Sequence, residues 1–170
     1  NLSVAQFRDG TLVENVVAAL DSSGLLASRL ELEVTESLLL ADTDTVLEQL
    51  FALKRLGISI AMDDFGTGYS SLNYLWRFPF DRLKIDRSFI HAIGGADGVE
   101  NIMKTIAALG RSLNMKVTVE GVESSDQAAF LKDFDCDDVQ GFFFGRPQPL
   151  EELSATMLTA FRDNLHRVSN

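Results

Sequence analysis

"ISIAMDDFGTG", residues 58–68, is the stretch on which the fold turns. Ile58, Ile60 and Met62 would share one face of a strand, and Ser59, Ala61 and Asp63 the other, because side chains alternate along extended backbone. The first face is apolar enough to lie under helices. The second is small until it ends in a carboxylate, and another carboxylate, Asp64, follows at once. Adjacent acids repel each other, so their placement before a glycine-rich loop calls for a compensating charge.

The same parity recurs outward from this segment. In "RLELEV" (29–34), Leu30, Leu32 and Val34 oppose Glu31 and Glu33. In "DRLKID" (81–86), Leu83 and Ile85 oppose Lys84 and Asp86. In "KVTVEG" (116–121), Val117 and Val119 oppose Thr118 and Glu120, and in "DDVQGFF" (137–143), Val139 opposes Asp138 and Gln140. Helical patterns separate these strands. "TLVENVVAALDSSG" (11–24) opens with a capping box, Thr11 and Glu14, and stops at Gly24. "DTDTVLEQLFALKRLG" (42–57) carries Leu47, Leu50, Phe51 and Leu56 on one side. "SSLNYLWRF" (70–78), "GVENIMKTIAALGRSLN" (98–114), "SSDQAAFLKDFD" (124–135) and "PLEELSATMLTAFRDNLH" (149–166) complete the set.

Five strands, each followed by helical sequence and with no linker between them, imply a parallel sheet with right-handed crossovers. A doubly wound sheet is covered on both faces and favours apolar residues on both. One polar face, with a charged or amide group at each strand's C-terminal end, fits the inner face and mouth of a β/α barrel instead.

Composition narrows the function. The chain has 170 residues, 46% of them hydrophobic, enough for one domain with a core. No apolar run reaches membrane-spanning length, and "NLSVAQFRDG" has no basic region followed by an apolar one. The single cysteine, Cys136, read as lying at a helix terminus, cannot form an internal disulfide, so a reducing cytoplasm is expected. A net charge of −10, from 25 acids against 15 bases, argues against DNA or an anionic membrane as partner.

The polar set expected at the mouth is Glu33, Asp63, Asp64, Lys84, Glu120, Glu123 and Gln140, with Asn1 and Glu36 as additions. The acids and amides among them are hard oxygen donors, and His91 and His166 stand at no strand end, so Mg²⁺ or Mn²⁺ is expected rather than zinc. Adjacent aspartates suit one carboxylate bridging two ions while its neighbour holds one, an arrangement for phosphoryl hydrolysis. Lys84, on the same face, is placed to steady the attacking hydroxide or the phosphate. "DFGTGYSS" (64–71) lacks the G-K-[ST] ending of a phosphate loop and reads as a flap hinged at Gly66 and Gly68.

"EVTES", "DDFGTGYSSL", "DRLKIDRSFI", "VEGVES" and "QGFFFGRPQP", in this order and spacing, resemble the EAL-domain family of bacterial cyclic di-GMP phosphodiesterases. "NLSVAQF" resembles that family's N-x-S-x-x-Q-F segment. The resemblance implies a TIM-like β/α barrel that cuts cyclic di-GMP to linear pGpG with two cations, Mg²⁺ or Mn²⁺. It implies that Asn1, Glu33, Asp63, Asp64 and Glu120 hold them, that Lys84 and Gln140 complete the water and second-ion environment, and that Glu123 lies close by. Lys84, Glu120 and Asp64 would be the catalytic groups. Glu36 would anchor the flap, which in the family links catalysis to dimerisation, so a homodimer is implied. Arg87 would contact substrate. "VTVEGVES" departs mildly from the more usual V-I-A-E-G-V-E-T while keeping both glutamates.

The Glu-Ala-Leu motif that names the family should stand upstream of Asn1. Residues 1–170 are therefore expected to be one EAL domain truncated at its N-terminus, an incomplete barrel without its first two strands and most of the third. With them a metal-ligating glutamate and an arginine would be missing, and this span alone is expected to be inactive. The parent is expected to carry a sensor or GGDEF-type domain upstream, with a membrane anchor possible there. Two alternatives compete: a non-catalytic cyclic di-GMP receptor or protein-interaction module on the same domain, and an enolase-like barrel. The intact acids weigh against the first, and the Asp63–Asp64 pair fits the second poorly.

Overall fold

The computed structural model describes residues 1–39, 43–68, 72–95 and 97–149. Five strands form one sheet: β1 (Glu31–Thr35), β2 (Ser59–Phe65), β3 (Arg82–Ile85), β4 (Lys116–Val119) and β5 (Asp138–Val139). All adjacent pairs are parallel, and strand order follows chain order without reversal. A doubly wound sheet reverses its order at a switch point; an unreversed order is that of a barrel wall.

Helices α1 (Val4–Arg8), α2 (Leu12–Ser23), α3 (Glu36–Leu39), α4 (Thr43–Arg55), α5 (Leu72–Arg77), α6 (Arg87–Ala92), α7 (Val99–Ser112) and α8 (Ser125–Leu131) surround it. The apolar parity of the strands is buried as the sequence implies. Leu32, Val34, Ile60, Met62, Leu83, Ile85, Val117 and Val119 share a core with Leu50 and Leu53 of α4 and Met103 and Ile106 of α7. The opposite parity carries Glu33, Lys84, Thr118 and Glu120, and the site is built there.

Three sequence expectations need correction. Thr11 makes no capping box; its hydroxyl accepts a bond from the Asn15 side-chain Nδ2 at 3.1 Å, while Gly24 does close α2 in the left-handed conformation. The buried side of α4 runs through Val46, Leu50 and Leu53, whereas Phe51 and Leu56 are exposed. Cys136 lies in the turn before β5, outside any helix, with its thiol pKa raised by burial and the neighbouring aspartates. Of the helix expected over 149–166 only Pro149 is among the described residues, and His166 lies outside them. No helix among the described residues is long and apolar enough to cross a membrane.

Candidate functional site

The two aspartates reach one site because β2 is irregular there. Met62 pairs with Leu83 and Phe65 with Ile85, so β2 spends three steps where β3 spends two. One residue is extra, which is a β-bulge. Asp64 absorbs it in the left-handed region at φ 54°, a conformation costing a non-glycine residue about 1 kcal/mol. The bulge returns Phe65 to the core, where it is 4% exposed. It also brings both carboxylates to the mouth: Asp63, Asp64 and Glu120 each present an oxygen within 4.8 Å of the other two.

Lys84 projects from the middle strand into the centre of these acids. Its Nζ lies 2.6 Å from Glu33 Oε1, 2.9 Å from Asp63 Oδ1 and 2.8 Å from Glu120 Oε1. The residue is 5% exposed. Burial alone would favour the neutral amine, but the bonds to Glu120, Glu33 and Asp63 win and push its pKa well up. At an effective dielectric near 20 a contact of about 4 Å is worth about 4 kcal/mol, so three outweigh the several kcal/mol of desolvating one ammonium. Lys84 is therefore a fixed cation, a donor and not a base. Burial raises the Glu120 pKa, with Asp63 and Glu33 adding to the rise and Lys84 opposing it. Burial likewise raises that of Asp64, aided by Asp63 and Asp86 and opposed by Lys84 and Arg87.

The set fits a divalent cation. The donors are carboxylate oxygens, and Lys84 uses one oxygen each of Asp63 and Glu120, leaving Asp63 Oδ2 and Glu120 Oε2 for another charge. The compensating charge demanded by the Asp63–Asp64 pair is thus supplied in part by lysine.

Of the other expected site residues, Asn1 and Gln140 are exposed and stand outside the Lys84 bonds. Both are nevertheless carried at strand ends: the Leu2 amide donates to Glu33 O at 2.8 Å, and the Gln140 amide to Val119 O at 2.9 Å. Arg87 is exposed at the start of α6, whose cap is Asp86 accepting from the Ser88 amide at 2.9 Å. Glu123 is also exposed, 3.8 Å from His91 Nε2, and that nitrogen lies 3.1 Å from Gly121 O. His91, which sequence spacing places at no strand end, thus meets the loop after β4 through tertiary packing.

Glu36, the first residue of α3, is buried and lies against the flap. A Cβ on Gly68 would stand 3.2 Å from Glu36 Oε2, so the glycine admits this close approach. Gly66, at φ 94°, is pressed on the Phe89 ring, where a Cβ would fall 2.6 Å from Cζ. It is a packed turn as much as a hinge. Residues 69–71 of the expected flap lie outside the described residues. Glu36→Ala should raise amide hydrogen exchange over residues 64–68 while α7 keeps its protection. Unchanged exchange would remove Glu36 as the anchor.

Sequence reasoning passed over Arg82. It begins β3 two residues before Lys84, shares its inward parity, and bonds Glu31, Thr118 and Asp138. Parity was the available signal.

The EAL domain family model matches residues 1–147. The chain belongs to the EAL domain family. MucR of Pseudomonas aeruginosa, a bifunctional diguanylate cyclase/cyclic di-GMP phosphodiesterase, is 47% identical over 157 residues, covering 92% of this chain and 23% of MucR. A solved structure of the PaMucR phosphodiesterase in complex with c-di-GMP matches with a TM-score of 0.85 at 47% identity, over 91% of this chain and 62% of that one. The manganese/cy-diGMP complex of Klebsiella pneumoniae BlrP1 matches with a TM-score of 0.70 at 33% identity, over 81% of this chain and 34% of that one. This EAL domain spans about a fifth of the length of the curated relatives it matches. Its parallel sheet is part of a TIM-like barrel, the fold of those EAL structures.

Proposed function

We propose that this EAL domain serves a cyclic di-GMP phosphodiesterase, adding water across one phosphodiester bond of the cyclic dinucleotide to give linear pGpG. The observation that carries the reading is the Lys84-centred cluster with Asp64 turned into it by the β2 bulge, on a domain 47% identical to a phosphodiesterase relative. Asn1, Glu33, Asp63, Asp64, Glu120 and Gln140 would hold two cations, Mg²⁺ or Mn²⁺. When bound, such ions polarise the phosphoryl oxygens and offset their charge.

The chain's own groups divide the remaining work. Lys84 stays protonated and donates, fixing Glu33, Asp63 and Glu120 relative to one another and facing the developing negative charge at phosphorus. Asp64 is the exposed member of the acid triad, the one able to meet an incoming water and take its proton. Glu120, just past the end of β4, is half-withdrawn from solvent and aligns that water from the other side. Arg87 and Glu123, exposed at the rim, are placed to meet the dinucleotide. The same reading sets the domain in the cytoplasm, within a longer, homodimeric signalling protein.

The test is release of pGpG from cyclic di-GMP by the full-length protein with Mn²⁺, followed by chromatography. Asp63→Asn should weaken Mn²⁺ binding by titration calorimetry at least as much as loss of an outer-shell partner does, about 10–100-fold, and abolish turnover. Equal Mn²⁺ binding by both proteins would remove Asp63 from the metal site. Wild-type protein that binds cyclic di-GMP without cutting it would turn the reading into the receptor module.

A further inference from the structure

Arg82 sits one layer below the candidate site and reproduces its plan. Its Nε donates to Glu31 Oε2 at 3.1 Å, and its Nη1 donates to Thr118 Oγ1 at 2.7 Å and to Asp138 Oδ2. Each partner stands two residues before a residue assigned to the site: Glu31 before Glu33, Thr118 before Glu120, Asp138 before Gln140. Arg82 itself stands two residues before Lys84. Side chains two apart on a strand share a face and stack in adjacent layers. The lower layer is therefore a base on which the upper one rests.

The two cations also divide the sheet between them. Lys84 bonds residues of β1 and β2 and Glu120 just past β4, whereas Arg82 bonds residues of β1, β4 and β5. Arg82 alone of the pair reaches β5, which is two residues long and pairs with β4 at only two positions. In a flat sheet β1 and β5 would be four strand spacings apart, roughly 19 Å. One guanidinium on the central strand that bonds acids on both edge strands, at once and in a fixed fork, sets how far the wall curls. The side chain is 17% exposed, against 35% for Glu31 and 55% for Asp138, so the fork lies deeper than the acids it gathers.

We propose that Arg82 is a positioning residue of the site: by drawing Glu31 and Asp138 together below it, Arg82 sets the spacing at which Glu33 on β1 and Gln140 after β5 face Asp63 and Glu120. It touches neither substrate nor cation. The inference rests on the metal-dependent reading above, and its readouts are chosen to fail separately from that reading.

The experiment compares wild type, Arg82→Lys, Arg82→Met and the neutral triple variant Glu31→Gln/Arg82→Met/Asp138→Asn in the full-length protein. Three quantities are read: Mn²⁺ affinity by calorimetry, the melting midpoint, and amide exchange at Gln140. Arg82→Met should weaken Mn²⁺ binding about 10–100-fold, as for loss of an outer-shell partner, and hasten exchange at Gln140. Arg82→Lys, which keeps the charge without the fork, should fall between it and wild type. The triple variant removes the stranded acids and should recover the melting midpoint without recovering Mn²⁺ affinity, the split that charge compensation alone would not produce. If Arg82→Met does not fold, the lysine and triple variants carry the same comparison. Wild-type Mn²⁺ affinity in Arg82→Met, or affinity restored together with the midpoint in the triple variant, would overturn the positioning role. A wild-type protein that binds no Mn²⁺ would overturn the metal reading and this inference with it, whereas normal Mn²⁺ behaviour without pGpG release would sink only the hydrolytic step.

Discussion

Lys84→Met should all but abolish cyclic di-GMP hydrolysis while tightening, not loosening, divalent-cation binding. Methionine keeps most of the volume and removes the charge. In the wild type that charge does two opposed things. It holds Glu33, Asp63 and Glu120 at 2.6, 2.9 and 2.8 Å, and it repels any cation held by their remaining oxygens. Without it four carboxylates face a metal with no positive side chain bonded among them. At an effective dielectric near 20, a unit charge about 4 Å from another is worth about 4 kcal/mol. Even a quarter of this, about 1 kcal/mol, is roughly a fivefold gain in affinity. The metal-free protein should instead lose stability, by at most about 3 kcal/mol, because a half-buried cluster is left uncompensated. Turnover should fall by about 10²–10³-fold or more, the size expected when a preorganised donor to developing charge is removed. Melting curves with and without Mn²⁺, beside single-turnover rates, separate these effects. Weaker Mn²⁺ binding would mean that Lys84 organises the acids more than its charge repels the metal. Retained turnover would end its catalytic assignment.

Much of this site is legible in the alternation of the strands. Leu32, Val34, Leu83, Ile85, Val117 and Val119 go to the core and Glu33, Lys84 and Glu120 to the other face, because period-two alternation is a local property of extended backbone. The bulge was not legible. Nothing in "AMDDF" says that Phe65 will pair with Ile85, since that depends on where β3 runs out, and without it Asp63 and Asp64 would point to opposite faces. Helix phase failed for a related reason. In α4 the choice between a stripe through Phe51 and Leu56 and one through Val46 and Leu53 is made by the strand beneath, not by the helix. Thr11 shows the limit of a capping motif, since its hydroxyl had a second partner in Asn15. Arg82 was within reach of the parity argument, but a charge at the first position of a strand reads as a solvated end unless acids on two distant strands are known to converge on it. Contacts such as His91 with Gly121, 30 residues apart, exist only in the fold.

Gly141→Ala should be the most damaging conservative change near the site, and it tests whether the end of β5 is rigidly held. A Cβ at this position would lie 2.1 Å from Val122 O, 2.3 Å from Val122 N and 2.6 Å from Val122 C. These are backbone atoms that no rotamer change can move. Val122 cannot retreat either, because its side chain is 0% exposed within the core. The segment after β5 must therefore shift, and it is held there by two bonds: the Val122 amide donates to Gln140 O at 3.0 Å, and the Phe143 amide to Val122 O at 3.0 Å. Overpacking costs about 1–3 kcal/mol and each lost hydrogen bond about 1 kcal/mol, so a loss near 3 kcal/mol is expected. For a domain of this size that lowers the melting midpoint by about 6–12 °C. Gln140 moves with the segment, so Mn²⁺ affinity should fall together with the midpoint, while the Lys84 contacts with Glu33, Asp63 and Glu120 remain. Calorimetry of unfolding and of Mn²⁺ binding on the same variant reads both. A variant that melts like wild type and binds Mn²⁺ equally would show that residues 140–143 yield to an added methyl, and that Gln140 stands apart from the cation site.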